Sequence, residues 1–239
     1  MTVTYSTLQT RVLRRVIDAP AAVQAEVGSL INDAIRSLQR ERHFKVMEAT
    51  TGLLTTTVGA RTLSTAAVPS NFKEYRGKPY YQSYLGQTYD MVVVQQRQAA
   101  HDLFGIDVDR DIGYPILLLD AEPSTVAGAR NWEVFPYPDG NSDWSDGEYR
   151  VVVPYWKWLP VLSAGGDSNW FTDNADDFII YKATSAAFAL DWDEARSSYW
   201  EGEANKLKGE IIKRDKLLRL SSFDTLAVHM NVNDPALSR

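Results

Sequence analysis

The chain has 239 residues, no cysteine, seven Trp, twelve Tyr and a formal net charge of -6. This length can bury a hydrophobic core and predicts one or two domains, and the aromatic content argues against disorder outside the ends. The lack of cysteine excludes disulfides, thiolate metal sites and thiol nucleophiles, while the acidic balance disfavours direct DNA binding, which needs clustered Lys and Arg.

The N-terminal segment predicts a soluble protein made in the cytosol. Residues 1–12 contain no apolar signal core. No run approaches the ~20 apolar residues that span a membrane. We therefore expect no membrane partner.

A first helix is predicted after Ser6, which can cap it. Leu8, Val12 and Val16 recur at helical spacing and form one apolar stripe. The helix is expected to end near Asp18.

A second helix is predicted from Pro20 to about Arg42. It has the clearest periodicity in the chain, and its apolar stripe comprises Val23, Val27, Leu30, Ile31, Ala34, Ile35 and Leu38. The opposite face has mixed charge and includes Arg36 and Arg40. This pattern indicates a solvated or inter-subunit face rather than a catalytic one.

Short strands are predicted between residues 45 and 165. Runs of Thr, Val, Leu and aromatic residues alternate there with Gly, Pro, Asn and Asp, which favours roughly six to eight strands. They are too many and too close together for βαβ units, so we expect an antiparallel sheet or small sandwich. Residues 97–105 predict one short helix closed by Gly105.

Two more helices are predicted between residues 174 and 219. Thr172 or Asn174 can cap the first, whose small residues allow close approach to a neighbouring backbone. Gly202 and Gly209 weaken the predicted continuity of the second. Its apolar stripe comprises Trp192, Ala195, Tyr199, Leu207, Ile211 and Leu218.

The opposite face of that last helix is charged and includes Lys206 and Lys213. Beyond Leu220 the helical pattern ends. The tail alternates apolar with polar residues at Phe223, Leu226, Val228 and Met230. We expect it to be an extended arm that a partner orders.

These elements predict an α+β fold. Residues 1–44 and 166–220 form an antiparallel helical bundle, residues 45–165 form an inserted β domain, and residues 221–239 form the C-terminal arm. The two ends of the chain would pack together, with the β domain inserted between them.

Candidate chemistry is sparse. His43, His101 and His229 have no second histidine at metal-ligand spacing, so each is interpreted as solvated or locally hydrogen-bonded. The glycine-rich phosphate loops and nucleophile elbows of common enzyme classes are missing from the sequence. Asp191 and Asp193 lie between helices, where capping explains them.

Two acidic clusters are candidate sites for divalent ions. Asp107, Asp109 and Asp111 imitate the start of a calcium loop, but the required Gly and Glu positions hold Ile112 and Leu118. The second cluster comprises Asp139, Asn141, Asp143 and Asp146. A polar hairpin turn explains that cluster, and loose divalent binding is the alternative. We expect no cofactor and no enzymatic activity. The alternative hypothesis, an enzyme that depends on divalent ions, is supported by these clusters alone.

Aromatic residues are concentrated in the predicted β domain and exceed what its core needs. Core packing accounts for about half of them, and the rest would suit a protein interface or a sugar-binding platform. They are Tyr80, Tyr81, Tyr84, Tyr89, Trp132, Phe135, Tyr137, Tyr155, Trp156 and Trp158.

Two motifs resemble the head-to-tail adaptor, or connector, proteins of tailed bacteriophages. The helix motif is matched by Asn32, Ala34, Arg36, Arg40 and Phe44, and the turn motif by Val68, Pro69, Ser70, Asn71 and Phe72. The segment 176–216 also resembles the paired C-terminal helices of that family. The large β insert departs from the simplest members and resembles a short-tailed phage version.

The resemblance implies a structural protein of the virion neck. It implies a ring, usually of twelve copies, that joins the portal protein to tail proteins such as the nozzle or tail tube, with tail-fibre proteins as further candidate partners. DNA would pass through the ring without sequence-specific binding.

The surfaces expected to carry subunit or portal contacts are drawn from both ends of the chain: Arg36, Arg40, Lys206, Lys213, Phe223, Leu226, Val228 and Met230. The alternative function is a virion module that binds carbohydrate or a receptor through the aromatic-rich β domain.

Overall fold

The computed structural model describes residues 2–105, 111–120 and 131–232. The chain divides into two compact units. The helical unit is drawn from both ends, up to Val46 and from Leu159 onward, and the β unit is Met47–Trp158. No helix in the described residues is long and apolar enough to cross a membrane.

Seven α-helices occur in the described residues. They are α1 (Tyr5–Arg15), α2 (Ala21–Ala25), α3 (Val27–Glu41), α4 (Arg97–Phe104), α5 (Trp170–Asn174), α6 (Asp176–Leu190) and α7 (Glu194–Val232). A 3-10 turn spans Lys45–Met47. The predicted short helix closed by Gly105 is confirmed as α4, whose C-cap has a φ of 64°.

The N-terminal helices pack against the C-terminal helices, which confirms the predicted α+β architecture. α6 contacts α1, α3 and α7. Ile179, Ala183 and Ala187 are fully buried on α6, and the alanines allow the neighbouring backbones to approach closely. The predicted stripe is buried on α3 except for the half-buried Leu30, and the helix predicted as one from Pro20 is divided into α2 and α3 at Glu26.

The C-terminal helices begin differently from the prediction. Asn169, not Thr172 or Asn174, caps α5, and its side-chain oxygen accepts the backbone N–H groups of Phe171 and Thr172. Thr172 completes a capping box by accepting the N–H of Asn169 at 3.1 Å. A break at Ala175 then separates α5 from α6.

α7 is a single helix that contains both glycines. The predicted apolar stripe is only partly correct, because Trp192, Tyr199 and Leu218 are exposed whereas Ala204 and Ile211 are buried. The continuity follows from tertiary packing on α6, which outweighs the weak helix propensity of glycine.

Helical backbone continues through positions 221–232, where an extended arm was predicted. The sequence contains no Gly or Pro between Gly209 and Pro235, so nothing local stops the helix. The remainder of the predicted arm, 233–239, lies outside the described residues.

The β unit contains thirteen short strands in its described part. They are β1 (Glu48–Thr50), β2 (Leu54–Thr55), β3 (Thr62–Ala67), β4 (Phe72–Tyr75), β5 (Tyr80–Gln82), β6 (Thr88–Asp90), β7 (Val92–Val94), β8 (Ile112–Gly113), β9 (Leu117–Asp120), β10 (Asn131–Phe135), β11 (Tyr137–Pro138), β12 (Arg150–Val152) and β13 (Pro154–Lys157).

Two sheets of the β unit are fully antiparallel, as predicted. Their strand orders are β1-β13-β4 and β2-β12-β5-β6. A third sheet, β3-β10-β9-β7, contains one parallel pair, β7 with β9, and β8 pairs with β11 in parallel. Helix α4 lies in the connection from β7 to β9, so one crossover unit exists that the sequence argument excluded.

The core of the β unit is built around Trp132. Its buried members are Leu54, Leu63, Met91, Leu118, Trp132, Val134, Val151 and Val153. The Trp132 indole is fully buried and donates from Nε1 to the Tyr75 hydroxyl at 2.8 Å. As predicted, some aromatic residues of the β unit lie in its core and others lie on its surface. Tyr155 is buried, whereas Tyr84 and Tyr89 are exposed.

A loop at residues 163–167, in the C-terminal segment of the helical unit, accepts hydrogen bonds from the first turn of α1. The backbone N–H groups of Tyr5 and Ser6 donate to the carbonyl oxygens of Asp167 and Gly165, at 2.8 and 3.0 Å. Thr4 rather than Ser6 is the N-cap residue. The loop therefore supplies acceptors that the N-terminal turn of a helix needs.

The Asp167 carboxylate holds that loop in shape. It accepts the backbone N–H groups of Ser163 and Ala164 at 2.7 and 2.8 Å. These hydrogen bonds lower the pKa of Asp167 from its ordinary value. A lowered pKa contributes stability above the unfolded-state pKa of about 3.9, and this contribution is lost as the pH falls through the folded pKa.

We expect Asp167→Asn to lower the midpoint of thermal unfolding at pH 7, because the amide is a weaker acceptor than the carboxylate. The difference from the parent chain should shrink as the pH falls from about 4 through the lowered pKa of the folded Asp167 carboxyl. Scanning calorimetry at pH 7 and pH 3 measures both effects. Asp18→Asn, at an exposed position, is the control, and an equal loss at both pH values would contradict the role of the charge.

Candidate assembly surface

The helix motif and the turn motif singled out in the sequence serve the fold itself. Asn32 on α3 bonds both backbone groups of Leu162, donating to its oxygen at 3.0 Å and accepting its N–H at 2.9 Å. Phe44 lies edge-on to Phe171, with ring centroids 4.9 Å apart. In the turn motif, Phe72 donates its N–H to the carbonyl of Pro69 at 2.8 Å. These residues hold distant parts of the chain in place.

The predicted interface residues of α3 differ in burial. Arg40 is exposed, whereas Arg36 is half-buried. Both lie away from the buried stripe of α3. Arg40 is therefore the more accessible of the two for a partner.

On α7, both predicted interface lysines are exposed. Lys206 forms an ion pair with Glu203 one turn earlier. Lys206 donates a hydrogen bond to the Glu203 carboxylate, and this bond together with the negative charge of Glu203 raises the pKa of Lys206. Both lysines therefore present positive charge to solvent along the outer side of the helix.

One charged residue at the end of α3 is paired with a lysine in the middle of α7. Glu41 at the end of α3 forms an ion pair with Lys208 of α7. Arg40, Lys206 and Lys213 are all exposed, so they are accessible to a neighbouring copy.

A buried carboxylate joins α7 to the segment that follows α3. The Asp215 side chain is 1% exposed and accepts the backbone N–H of Lys45 at 2.7 Å. Nε of Arg219 donates to it at 3.1 Å, and Nε of Arg42 lies 3.6 Å away. Sequence reasoning missed this residue. Its position four residues after the buried Ile211 was the available signal.

The last predicted interface residues, Phe223, Leu226, Val228 and Met230, fall in the helical backbone of α7. Helical spacing places positions 223, 226 and 230 along one side of the helix and position 228 off that side. The alternation expected of an extended arm therefore does not describe this segment.

Four tyrosines of the β unit, Tyr81, Tyr89, Tyr114 and Tyr149, line an open cleft of about 290 Å³. Tyr81 stacks on Tyr89 with ring centroids 4.8 Å apart, and Tyr114 lies at its edge. The Tyr149 hydroxyl donates to Asp139 at 2.7 Å, while burial and this carboxylate raise the tyrosine pKa. Burial opposes ionisation of Asp139, but hydrogen bonds from Asn141 and Tyr149 outweigh it and lower its pKa.

The acidic residues around this cleft bond within the chain. Asp143 accepts the N–H of Tyr84 at 3.0 Å, and Asp146 accepts the N–H of Glu148 at 3.0 Å and pairs with Arg150. These contacts are those of a polar turn and favour the structural interpretation over sugar or metal binding. In the residues described, no group of three or more acidic or histidine side chains could hold a metal ion.

The other predicted metal or acid-base candidates also have local roles. Asp193 accepts the N–H of Arg196 at 3.0 Å and so caps α7, as predicted. His101 is exposed beside Asp102 on α4. Asp107 and Asp109 lie outside the described residues.

Comparison with known proteins gives one result. The model of a family described as SU10 adaptor protein matches residues 3–226. No curated protein matches the chain. The family match spans both units and extends into the long C-terminal helix as far as Leu226.

Proposed function

This chain belongs to the SU10 adaptor protein family, a family of phage head-to-tail adaptors, and from that premise we propose that its helical unit assembles into a ring of about twelve copies between portal and tail. Family membership implies a structural virion protein with portal and tail partners, and not an enzyme. The match over residues 3–226 is the observation that carries this proposal.

A ring of identical chains needs two different contact surfaces on each copy. The helical unit supplies candidates on separate helices: Arg40 on α3, and Lys206 and Lys213 on α7, all exposed. Their lateral contacts would require acidic partners, which the net charge of -6 makes abundant. The C-terminal end of α7, with Phe223, Leu226, Val228 and Met230, is proposed to contact the portal or a neighbouring copy.

We propose that DNA passes through the ring without sequence-specific binding. A channel that lets DNA slide must avoid strong attraction to phosphate, since each neutralised phosphate adds affinity. The acidic balance of the chain suits that requirement.

Mixing the full-length protein with its portal protein tests the proposal directly. Electron microscopy and native mass measurement should show a closed ring of this protein on one face of the portal. A portal that remains bare at micromolar concentrations of both proteins would overturn the proposal.

The double variant Arg36→Glu, Arg40→Glu is expected to weaken ring formation on the portal by roughly tenfold or more, because reversed charges would face acidic neighbours. The measurement is the protein concentration needed for half-maximal ring formation.

Arg40→Glu alone is the safer variant for folding, since Arg36 is half-buried. Arg14→Glu on α1 reverses an exposed charge elsewhere and serves as the matched control. Normal assembly of the double variant would show that this side of α3 makes no contact between copies.

A further inference from the structure

The turn between α6 and α7 holds a tryptophan where a glycine is usual. The N–H of Trp192 donates to the carbonyl of Ala189 at 3.2 Å, and the N–H of Asp193 donates to that of Phe188 at 3.0 Å. These two bonds form a Schellman motif, whose left-handed position is most often glycine. Trp192 occupies that position with a φ of 60°, so its side chain strains the backbone.

The same tryptophan is exposed. Its relative exposure is 88%, and that of Leu190 beside it is 52%. The exposed apolar side chain and the strained backbone each raise the free energy of the unassembled chain. Exposed tryptophans in fixed turns are typical of residues that anchor protein contacts. We call Leu190 and Trp192 the knob.

A pocket with complementary chemistry lies on the same helical unit. It has a volume of about 120 Å³ and is lined by Leu38, Glu41, Arg42, Phe44, Lys208 and Ile212. Leu38 and Phe44 form a buried apolar floor, whereas the rim carries Arg42 and Lys208. We call this pocket the socket.

The charges around the knob and the socket allow an exchange of ion-pair partners. Asp191, Asp193 and Glu194 flank the knob. At the socket, Arg42 lies beside Asp215 and Lys208 pairs with Glu41 within the chain, so an acidic flank of the next copy would replace Glu41 as the partner of Lys208. The Lys208 and Glu41 side chains are 32% and 49% exposed, so they are able to move aside for an incoming ring. Complementary charge steers such an encounter and sets its orientation.

The knob of one copy is too far away to fill its own socket. From Glu194 to Lys208, α7 rises roughly 21 Å at about 1.5 Å per residue. A rigid helix therefore keeps the two patches apart. An apolar knob and a separate pocket on one molecule are the elements of a head-to-tail contact between copies.

We propose that Trp192 of one copy inserts into the socket of the next copy in the ring. This inference rests on the proposed ring and identifies the partner of the socket as a second copy of the same chain. The acidic flanks of the knob then face Arg42 and Lys208 of that copy.

Engineered disulfides test the contact, because the chain has no cysteine of its own. The full-length double variant Asp191→Cys, Glu41→Cys keeps Trp192 and both basic residues of the socket. Assembled on its portal and mildly oxidised, it should give a ladder of linked copies on a non-reducing gel. Each single variant should give dimers at most. Rings that form on the portal without a ladder would overturn the inference.

A second variant separates docking from folding. Trp192→Gly suits the left-handed backbone, so its thermal midpoint should equal or exceed that of the parent chain. Ring formation on the portal should nevertheless need a roughly tenfold or higher protein concentration. Ile17→Ala, which removes another exposed apolar side chain, should assemble normally.

The outcomes distinguish the two proposals. If the parent chain forms no ring on its portal, the proposed function fails and this inference fails with it. If the parent chain forms rings and Trp192→Gly forms them equally well, the proposed function stands and the knob is overturned.

Discussion

Replacing Asp215 with Ala should lower the free energy of unfolding by about 2–4 kcal/mol. Removing one member of a buried ion pair leaves its partners uncompensated and typically costs about 3–5 kcal/mol. Here Arg42 and Arg219 are each 33% exposed, so water can partly solvate them and the expected loss is smaller. Chemical denaturation followed by helical circular dichroism measures it.

Two variants show whether this loss comes from the carboxylate. Asp215→Asn keeps an oxygen that can accept the Lys45 N–H, now 2.7 Å from Oδ1, and should lose about half as much. Lys213→Ala lies two residues away on the exposed side of α7 and should change stability by less than about 0.5 kcal/mol. Equal losses at positions 213 and 215 would contradict a specific link.

Periodicity was sufficient to predict the helical unit. The α3 stripe alternates at three and four residues from Val27 to Leu38, and a helix with one such stripe must bury it against another element. The alanine residues of α6 indicated a second helix that could pack closely against this stripe. The predicted packing of the two chain ends therefore followed from which surfaces each helix had to bury.

Asp215 was not predicted because its burial is a tertiary property. An acidic residue on a helix that carries many other charged residues is ordinarily a surface residue. Its partners come from the end of α3, about 170 residues earlier in the chain, and no local pattern indicates them. The apolar spacing around it was the only sequence signal.

The position of Trp192 was missed for a related reason. Its spacing to Ala195 and Tyr199 fits a helical stripe, yet α7 begins only at Glu194. Asp193 caps that helix, which places the tryptophan in the turn. A tryptophan in the left-handed region contradicts residue preference, so its location follows from the two flanking helices rather than from its own identity.

The β unit was predicted in class but not in topology. Its strands are two to six residues long, and such short runs carry little information about which strands pair. The parallel pair β7–β9 depends on a crossover through α4. The sequence predicted this helix, but it did not predict that the strands on either side of the helix run parallel. Which distant strands pair depends on how their side chains pack in the core around Trp132.

The fully buried Trp132 gives the second large expected effect. Trp132→Ala should lower the free energy of unfolding of the β unit by about 3–5 kcal/mol, because it removes a large buried side chain and leaves a cavity. Its ring lies 5.6 Å from that of Phe72 in an edge-on contact, so aromatic packing is lost as well.

The helical unit has its own buried residues on α3 and α6. Unfolding of Trp132→Ala should therefore separate into two steps, with near-ultraviolet circular dichroism changing at lower denaturant than the helical signal. Trp132→Phe keeps a ring but loses the donor to Tyr75, and should cost about 1–3 kcal/mol. A single coincident transition for Trp132→Ala would show that the two units unfold as one, which would contradict independent cores.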